Sequence, residues 1–273
     1  MVEVRPHATS LANMITLTTD FGLTDHFIGA MKGVIATIAP RVAVHDITHL
    51  VQRFSILDGA FTIAEAYPWW PKKTVHVVVV DPGVGTSRRP ILVEAAGQYF
   101  VGPDNGVFSM VYLREPKHKV RAITNEKLFL PGHSRTFHGR DIFAPVAAHL
   151  AVAKVTPAGV GKLVSDSLQL SNLTPQRSGK RVWTGSVLKV DHFGNLITNF
   201  HARDFPGITT QPFEMLVGIQ TVRRLALNYQ ECEIGEVFVI VGSSGYLEVS
   251  TSQGSAAQVL GCGAQAPVEL TLW

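Results

Sequence analysis

Residues 77–90 read VVVVDPGVGTSRRP. Four consecutive valines, Val77 to Val80, do not alternate as a strand with one wet face would, and they fit a parallel strand buried on both faces. The residues next in the chain then lie at its carboxyl end, where open α/β sheets place ligands. Here that is Asp81 in a Pro–Gly turn, then Arg88 beside Arg89. Upstream, TLTTDFG (16–22) ends another apolar run on Asp20, and downstream RTFHGRDIFAP (135–145) carries His138. An acid, a permanent cation and an imidazole, each beside glycines, are the parts of a small polar active site. Plainer roles compete: Pro–Gly serves turns anyway, Asp20 suits a helix entry, and Arg88–Arg89 suits a solvated pair.

Outward from the valines, strands and helices alternate. Strands are expected at 14–18, 42–47 and 74–80. Thr24 reads as the cap of a helix with apolar positions Phe27, Ile28, Met31, Val34, Ile35 and Ile38, stopped by Pro40. Ser55 and Asp58 resemble a capping box for a helix ending near Pro68. A hairpin over 91–101 turns at Gly97, and GPDNG (102–106) is a turn. A helix (107–114), a strand (119–124) and a helix from Asp141 to about Val152 come next. This predicts an α/β domain over 1–165 with a largely parallel sheet covered on both faces. Residues 166–181 are polar and aperiodic, a linker. Beyond them only short strands are expected, at 182–190, 194–200, 213–218, 220–227, 236–242, 246–250 and 267–272, which predicts a small all-β, barrel-like domain over 182–273.

Composition narrows the function. With 46% hydrophobic and 16% charged residues in 273, the chain is globular rather than disordered. A formal charge of +3 with scattered basic residues argues against a nucleic-acid partner. No apolar stretch reaches about 18 residues, so no membrane partner is expected. The N-terminus lacks the long apolar core of a signal peptide, which favours the cytoplasm. Cys232 and Cys262 have no metal-ligand spacing and read as free thiols. The eleven histidines are dispersed, and the His45–Asp46 and His49 group is equally a strand end. No H-E-x-x-H, zinc cluster, G-x-S-x-G, complete P-loop or dinucleotide fingerprint occurs, so no metal or cofactor is expected.

In the second half, VDHFGNLITNF (190–200) joins Asp191, Phe193 and Asn195. An aromatic face beside an amide that donates and accepts suits a purine base, although a β-turn at Gly194 explains the run equally well. VGSSGYLEVSTSQGSA (241–256) is rich in serine and glycine, whose backbone amides could receive a carboxylate.

Taken in order, TLTTDFG, DPGVGTSRR, FHGRD, DHFGNLITN and GSSGYLEVSTSQGSAA closely resemble the S-adenosyl-L-methionine (SAM) hydroxide adenosyltransferases, or SAM hydrolases, relatives of the fluorinases and chlorinases. The resemblance spans about residues 14–270. It implies an N-terminal α/β domain, a C-terminal β-barrel, a homotrimer with active sites between subunits, and hydrolysis of SAM, as substrate rather than cofactor, to adenosine and L-methionine. It further implies that Asp81, Arg88 and His138 handle the water, that Asp20 holds the ribose hydroxyls, and that Phe54 packs near the sugar. Asn195 and the 248–253 segment, including Glu248, would read adenine, with Tyr229 a neighbour. Asp191 and Ser243 would hold the methionine end. Where the halogenases have arginines, this chain has Ser244 and Thr251, which weakens the carry-over of carboxylate contacts. They also have a tyrosine at Asp81 and a tyrosine–serine pair at His138–Gly139. A chlorinase-like halide transferase and an idle adenosine- or SAM-binding protein are the alternatives.

Overall fold

In the computed structural model, which describes residues 14–273, the valine run forms an interior strand of a seven-stranded sheet. The strands are β1 (Ile15–Thr19), β2 (Val44–Thr48), β3 (Val75–Val79), β4 (Pro90–Ala95), β5 (Gln98–Pro103), β6 (Lys119–Ala122) and β7 (Leu163–Val164), in the order β2-β1-β3-β5-β4-β6-β7. β2, β1, β3 and β5 pair in parallel. β4, β6 and β7 add an antiparallel edge. The sheet is therefore parallel from β2 to β5 and antiparallel beyond. The hairpin at Ala96 (φ 53°) and Gly97 (φ 73°) starts the antiparallel part with β4 on β5, because a two-residue turn can only reverse the chain.

The helices α1 (Phe27–Ile38), α2 (Ile56–Ala66), α3 (Ser109–Arg114) and α4 (Ala144–Ala151) flank this sheet. Val75, Val77 and Val79 pack with Met31 and Ile35 of α1 and with the alanines of α4. Val78 faces the other way, against Ile63 of α2 and Val111 of α3. Both faces of β3 are thus dry, each buried valine contributing about 1.5–3 kcal/mol. The polar exception is His76, fully buried between Thr16 (Nδ1 to Oγ1, 2.7 Å) and Gln98 (Nε2 to Oε1, 3.3 Å). Burial pushes its imidazole down to about 4, so it stays neutral inside the sheet.

Two local expectations change. Thr24 does not cap α1, which starts at Phe27 after an exposed bend over residues 23–26. The Phe27 ring is held by Phe21 and Phe137, and that contact fixes the first turn instead. Ser55 does cap α2, its Oγ accepting from the Asp58 amide at 3.2 Å, but Asp58 reaches back to the Gln52 N–H at 2.7 Å.

A second compact unit begins at Leu170. Just before it, Leu168 donates its N–H to Asp104 (2.9 Å), which also takes both arms of Arg89. Beyond lie β8 (Gln176–Arg177), β9 (Val182–Val190), β10 (Leu196–His201), β11 (Phe213–Val217), β12 (Gln220–Val222), β13 (Leu225–Ala226), β14 (Val237–Val241), β15 (Tyr246–Thr251) and β16 (Pro267–Leu272). Their order is β12-β11-β16-β9-β10-β15-β14-β13, with β8 on β9, antiparallel except for β13 on β14. The single strand expected over 220–227 is two, because the chain changes edges at Arg223–Arg224. β12 and β13 end opposite sides of the sheet path, yet only Arg223 and Arg224 link them, and the three Cα steps from Val222 to Leu225 span at most about 11 Å. The sheet must therefore curl.

Among the described residues, no helix is long and apolar enough to cross a membrane.

Candidate active site

The order of strands places the site. The chain leaves β1 for β2 on one side and then returns to β3 on the other. The carboxyl ends of β1 and β3 are therefore a topological switch point, where connections diverge and leave a crevice. Thr19 is in register with Val79, so Asp20 leaves its strand beside Val80, and Asp81 follows one residue further along at the end of the neighbouring strand. A cleft there is lined by Asp20, Phe21, Arg53, Phe54, Val79, Asp81, Val84, Thr136, Phe137, His138 and Gly139.

Asp81 and Arg88 form a buried ion pair, their side chains 4% and 8% exposed. Arg88 Nε donates to Oδ1 at 3.0 Å, and Nη2 donates to Oδ2 through a short contact. The same Nη2 lies 2.7 Å from Nδ1 of His138. A guanidinium has no acceptor, so Nδ1 must accept and the ring proton sits on Nε2. Burial first, and the Arg88 charge second, hold the His138 imidazole below its ordinary value. Phe143 lies against the guanidinium, 5.4 Å from its ring centre.

The backbone explains why these three meet. Gly85 has φ 79°, and a Cβ there would stand 2.4 Å from the Arg135 carbonyl, so only glycine lets residues 81–88 close onto the His138 loop. His138 opens a π turn (Gly139–Phe143) that runs into α4, a distortion that recurs at functional sites. Asp141, buried in that turn, accepts from the Ser134 amide at 2.7 Å and so ties the loop down.

Asp20 is braced from behind. Thr19 Oγ1 lies 2.9 Å from His49 Nδ1, and His49 Nε2 lies 3.0 Å from Asp46 Oδ1. One Asp20 oxygen, Oδ2, accepts the N–H of Phe54 at 2.8 Å. Phe54 has φ 64°, a left-handed backbone that a bulky residue rarely adopts, and its side chain is 70% exposed.

The second unit gathers another group of the expected residues. Asp191 Oδ1 accepts the amides of Phe193 (2.9 Å) and Asn195 (2.8 Å), and Oδ2 accepts Asn195 Nδ2 (2.8 Å). The carboxylate thus shapes the turn at Gly194 (φ 87°), where a Cβ would strike Ser255. Asn195 is buried and Phe193 is exposed. Desolvation, then the Asp191 charge, push the buried Glu248 carboxyl up to about 7. Burial and the Glu248 charge raise the Tyr229 hydroxyl, which marks those two as neighbours. Ser243 lies in the turn between β14 and β15, next to Gly242, against which Glu248 packs. Two amides of that serine-glycine run are engaged within the turn, Gly245 to the Gly242 carbonyl and Gly242 to that of Tyr246, each at 2.9 Å.

Sequence reasoning missed Arg53, Thr136 and Phe137 as cleft residues. Nothing in their spacing distinguishes them, because the contacts that bring them in are long-range. Among the described residues, no group of three or more His, Cys, Asp and Glu could hold a metal ion, and Cys232 and Cys262 are unbonded.

An α/β unit with a carboxylate–guanidinium–imidazole array at its switch point, and an antiparallel β unit after it, define a two-part enzyme architecture. Family models for the SAM hydroxide adenosyltransferase N-terminal and C-terminal domains match residues 15–161 and 185–269. The chain belongs to that family. A relative from Salinispora tropica, named (R)-S-adenosyl-L-methionine hydrolase, is 38% identical over 90% of this chain and 93% of its own length. One of the same name from Thermus thermophilus is 37% identical over 92% and 97%. Fluorinases are more distant, that of an Actinoplanes species being 26% identical over 89% and 92%. A crystal structure of an uncharacterized conserved protein from Thermotoga maritima superposes with a TM-score of 0.86 at 36% identity, covering 94% of this chain and all of that one.

Proposed function

We propose that the chain hydrolyses SAM to adenosine and L-methionine by in-line attack of a held water on the 5′ carbon. The observation that carries this is the Asp81–Arg88–His138 array beside Asp20 in one cleft. The sulfonium leaves as a neutral thioether, so no acid is needed to protonate it. The weak partner is water, which becomes nucleophilic as its proton departs. With Nδ1 occupied, His138 offers that water the Nε2–H. Asp81 is then the array's acceptor, since each carboxylate oxygen keeps a lone pair beyond its bond to Arg88. Positioning supplies about 7–11 kcal/mol of the barrier, and partial proton transfer roughly 10²–10⁴-fold more. Asp20, with Oδ1 free of the Phe54 bond, accepts from the ribose hydroxyls. Asn195, Glu248, Phe193 and Tyr229 read the base, and Asp191 with Ser243 borders the methionine end. The working form is a homotrimer whose subunits complete one another's sites, which light scattering at three chain masses checks.

Halide is the rival nucleophile, given the fluorinase relatives. A carboxylate about 4 Å from a halide costs about 4 kcal/mol at an effective dielectric near 20, whereas water gains an acceptor. Incubation with SAM in ¹⁸O-labelled water tests the choice by mass spectrometry. Adenosine labelled at the 5′ oxygen is expected in chloride and fluoride buffers alike. 5′-Halo-5′-deoxyadenosine as the main product would make the chain a halogenase, and tight adenosine binding without turnover would make it a binding protein.

A further inference from the structure

Arg53 is the one Lys or Arg side chain that lines the cleft, and it has no hydrogen-bond or ion-pair partner among the described residues. Asp81 is matched by Arg88 and His138 is held neutral, so Asp20 and Arg53 are the charges left in the cleft. Arg53 makes no ion pair with Asp20, whose Oδ2 takes the Phe54 amide, and its guanidinium is left to meet an anion that the substrate carries.

The backbone holds Arg53 there at a cost. On one side Gln52 donates its N–H to Asp58 (2.7 Å), and on the other Phe54 donates to Asp20 (2.8 Å). Between these two bonds the chain is forced into the left-handed conformation at Phe54. Such strain in a non-glycine residue costs about 1–3 kcal/mol and persists where the surroundings over-determine it, most often at ligand sites. The clamp fixes the Arg53 backbone against the same Asp20 that faces the ribose.

SAM bears one anion, the carboxylate of its methionine half. In the second unit Asp191 is itself an anion bonded within its turn, the Gly242 and Gly245 amides bond inside theirs, and Ser244 and Thr251 stand where the halogenases have arginines, so neutral serine donors remain there but those cations do not. We infer that Arg53 binds the substrate carboxylate and thereby sets the preference for an intact amino-acid tail, an assignment that rests on the SAM-hydrolase function proposed above. Arginine suits this task, because its planar fork meets a carboxylate through two parallel N–H···O bonds.

The decarboxylated sulfonium analogue of SAM isolates this contact. Wild type, Arg53→Gln and Arg53→Lys are compared for kcat and KM with SAM and with the analogue. Arg53 is exposed and unpaired, so neither substitution disturbs packing, and circular dichroism checks the fold. The preference for SAM in kcat/KM is expected to fall about 10–100-fold in Arg53→Gln, mainly through KM, with Arg53→Lys recovering part of it. An equal loss with both substrates would overturn the inference and assign Arg53 to the reacting centre, and so would an unchanged preference. Wild type inert toward SAM would sink the hydrolase function and this assignment with it. Active wild type with a preference indifferent to Arg53 would sink the assignment alone.

Discussion

One nitrogen of Arg88, Nη2, donates both to Asp81 Oδ2 and to His138 Nδ1, the latter across 2.7 Å. A single guanidinium therefore pairs with the acid and fixes the tautomer of the imidazole together.

The first consequence is a pH limb. Protonating Nδ1 would press one N–H against another, and burial also opposes the charge, so His138 gains its proton only below its ordinary value of 6.5. Its pKa is lowered on folding, so the working neutral form persists at higher pH and is lost as pH falls. kcat/KM is expected to hold through neutrality and decline on the acid side of 6.5, by pH–rate profile. His138→Asn should cut kcat about 10²–10⁴-fold, more than it raises KM. A wild-type kcat in that variant would remove the imidazole from the mechanism.

Stability should depend on the buried pair as a unit. Arg88→Met leaves Asp81 charged and unpaired in a site where its side chain is 4% exposed, which costs about 3–5 kcal/mol. Adding Asp81→Asn should return much of that loss, because no orphan charge remains. Urea unfolding of the two single variants and the double variant measures the coupling, and strict additivity would refute it.

Asp20→Ala should weaken substrate binding about 10–100-fold, since a carboxylate–hydroxyl contact contributes about 1.5–3 kcal/mol. The Phe54 amide loses its acceptor as well, so the 52–55 loop should exchange its amide hydrogens faster. Calorimetry with adenosine reads the first effect and hydrogen exchange the second.

Glu248 supplies a stability signal of opposite slope. Its carboxyl is raised by desolvation and by Asp191 to about 7 from an ordinary 4.5. The folded chain then holds a proton that the unfolded chain releases, so stability present below 4.5 is lost as pH rises through 7. Glu248→Gln should flatten this trend and exceed wild type at about pH 8 by roughly 1–3 kcal/mol, with little difference at about pH 4. Thermal unfolding of both proteins across that range tests it.

Local pattern made much of this legible. Val77–Val80 marked a strand buried on both faces, and Asp20 and Asp81 were legible as strand-end residues because strand ends can be read from apolar runs, whereas the switch point between them shows only in the sheet order. Ser55 was legible as a cap because its bond spans three residues. Thr24 misled for the complementary reason: the start of α1 is set by the rings of Phe21 and Phe137, and Phe137 lies more than a hundred residues away. Arg53 was silent because exposure alone looks the same in a cleft as on a surface. The antiparallel edge was implicit in Gly97, but its extent depended on where β6 and β7 docked. No sequence pattern encodes the proton position on His138, which only the approach of Arg88 determines.

Because Thr19 and Val79 are paired in register, the pitch of the sheet anchors Asp20 and Asp81 at their roots, one strand spacing of about 4.8 Å across and one residue further along. Loops above them can lengthen, shorten or breathe and alter who enters, yet the gauge between the two acids stays the same. The cleft works like a vernier fixed to its rail, its two acids gauged by the backbone itself.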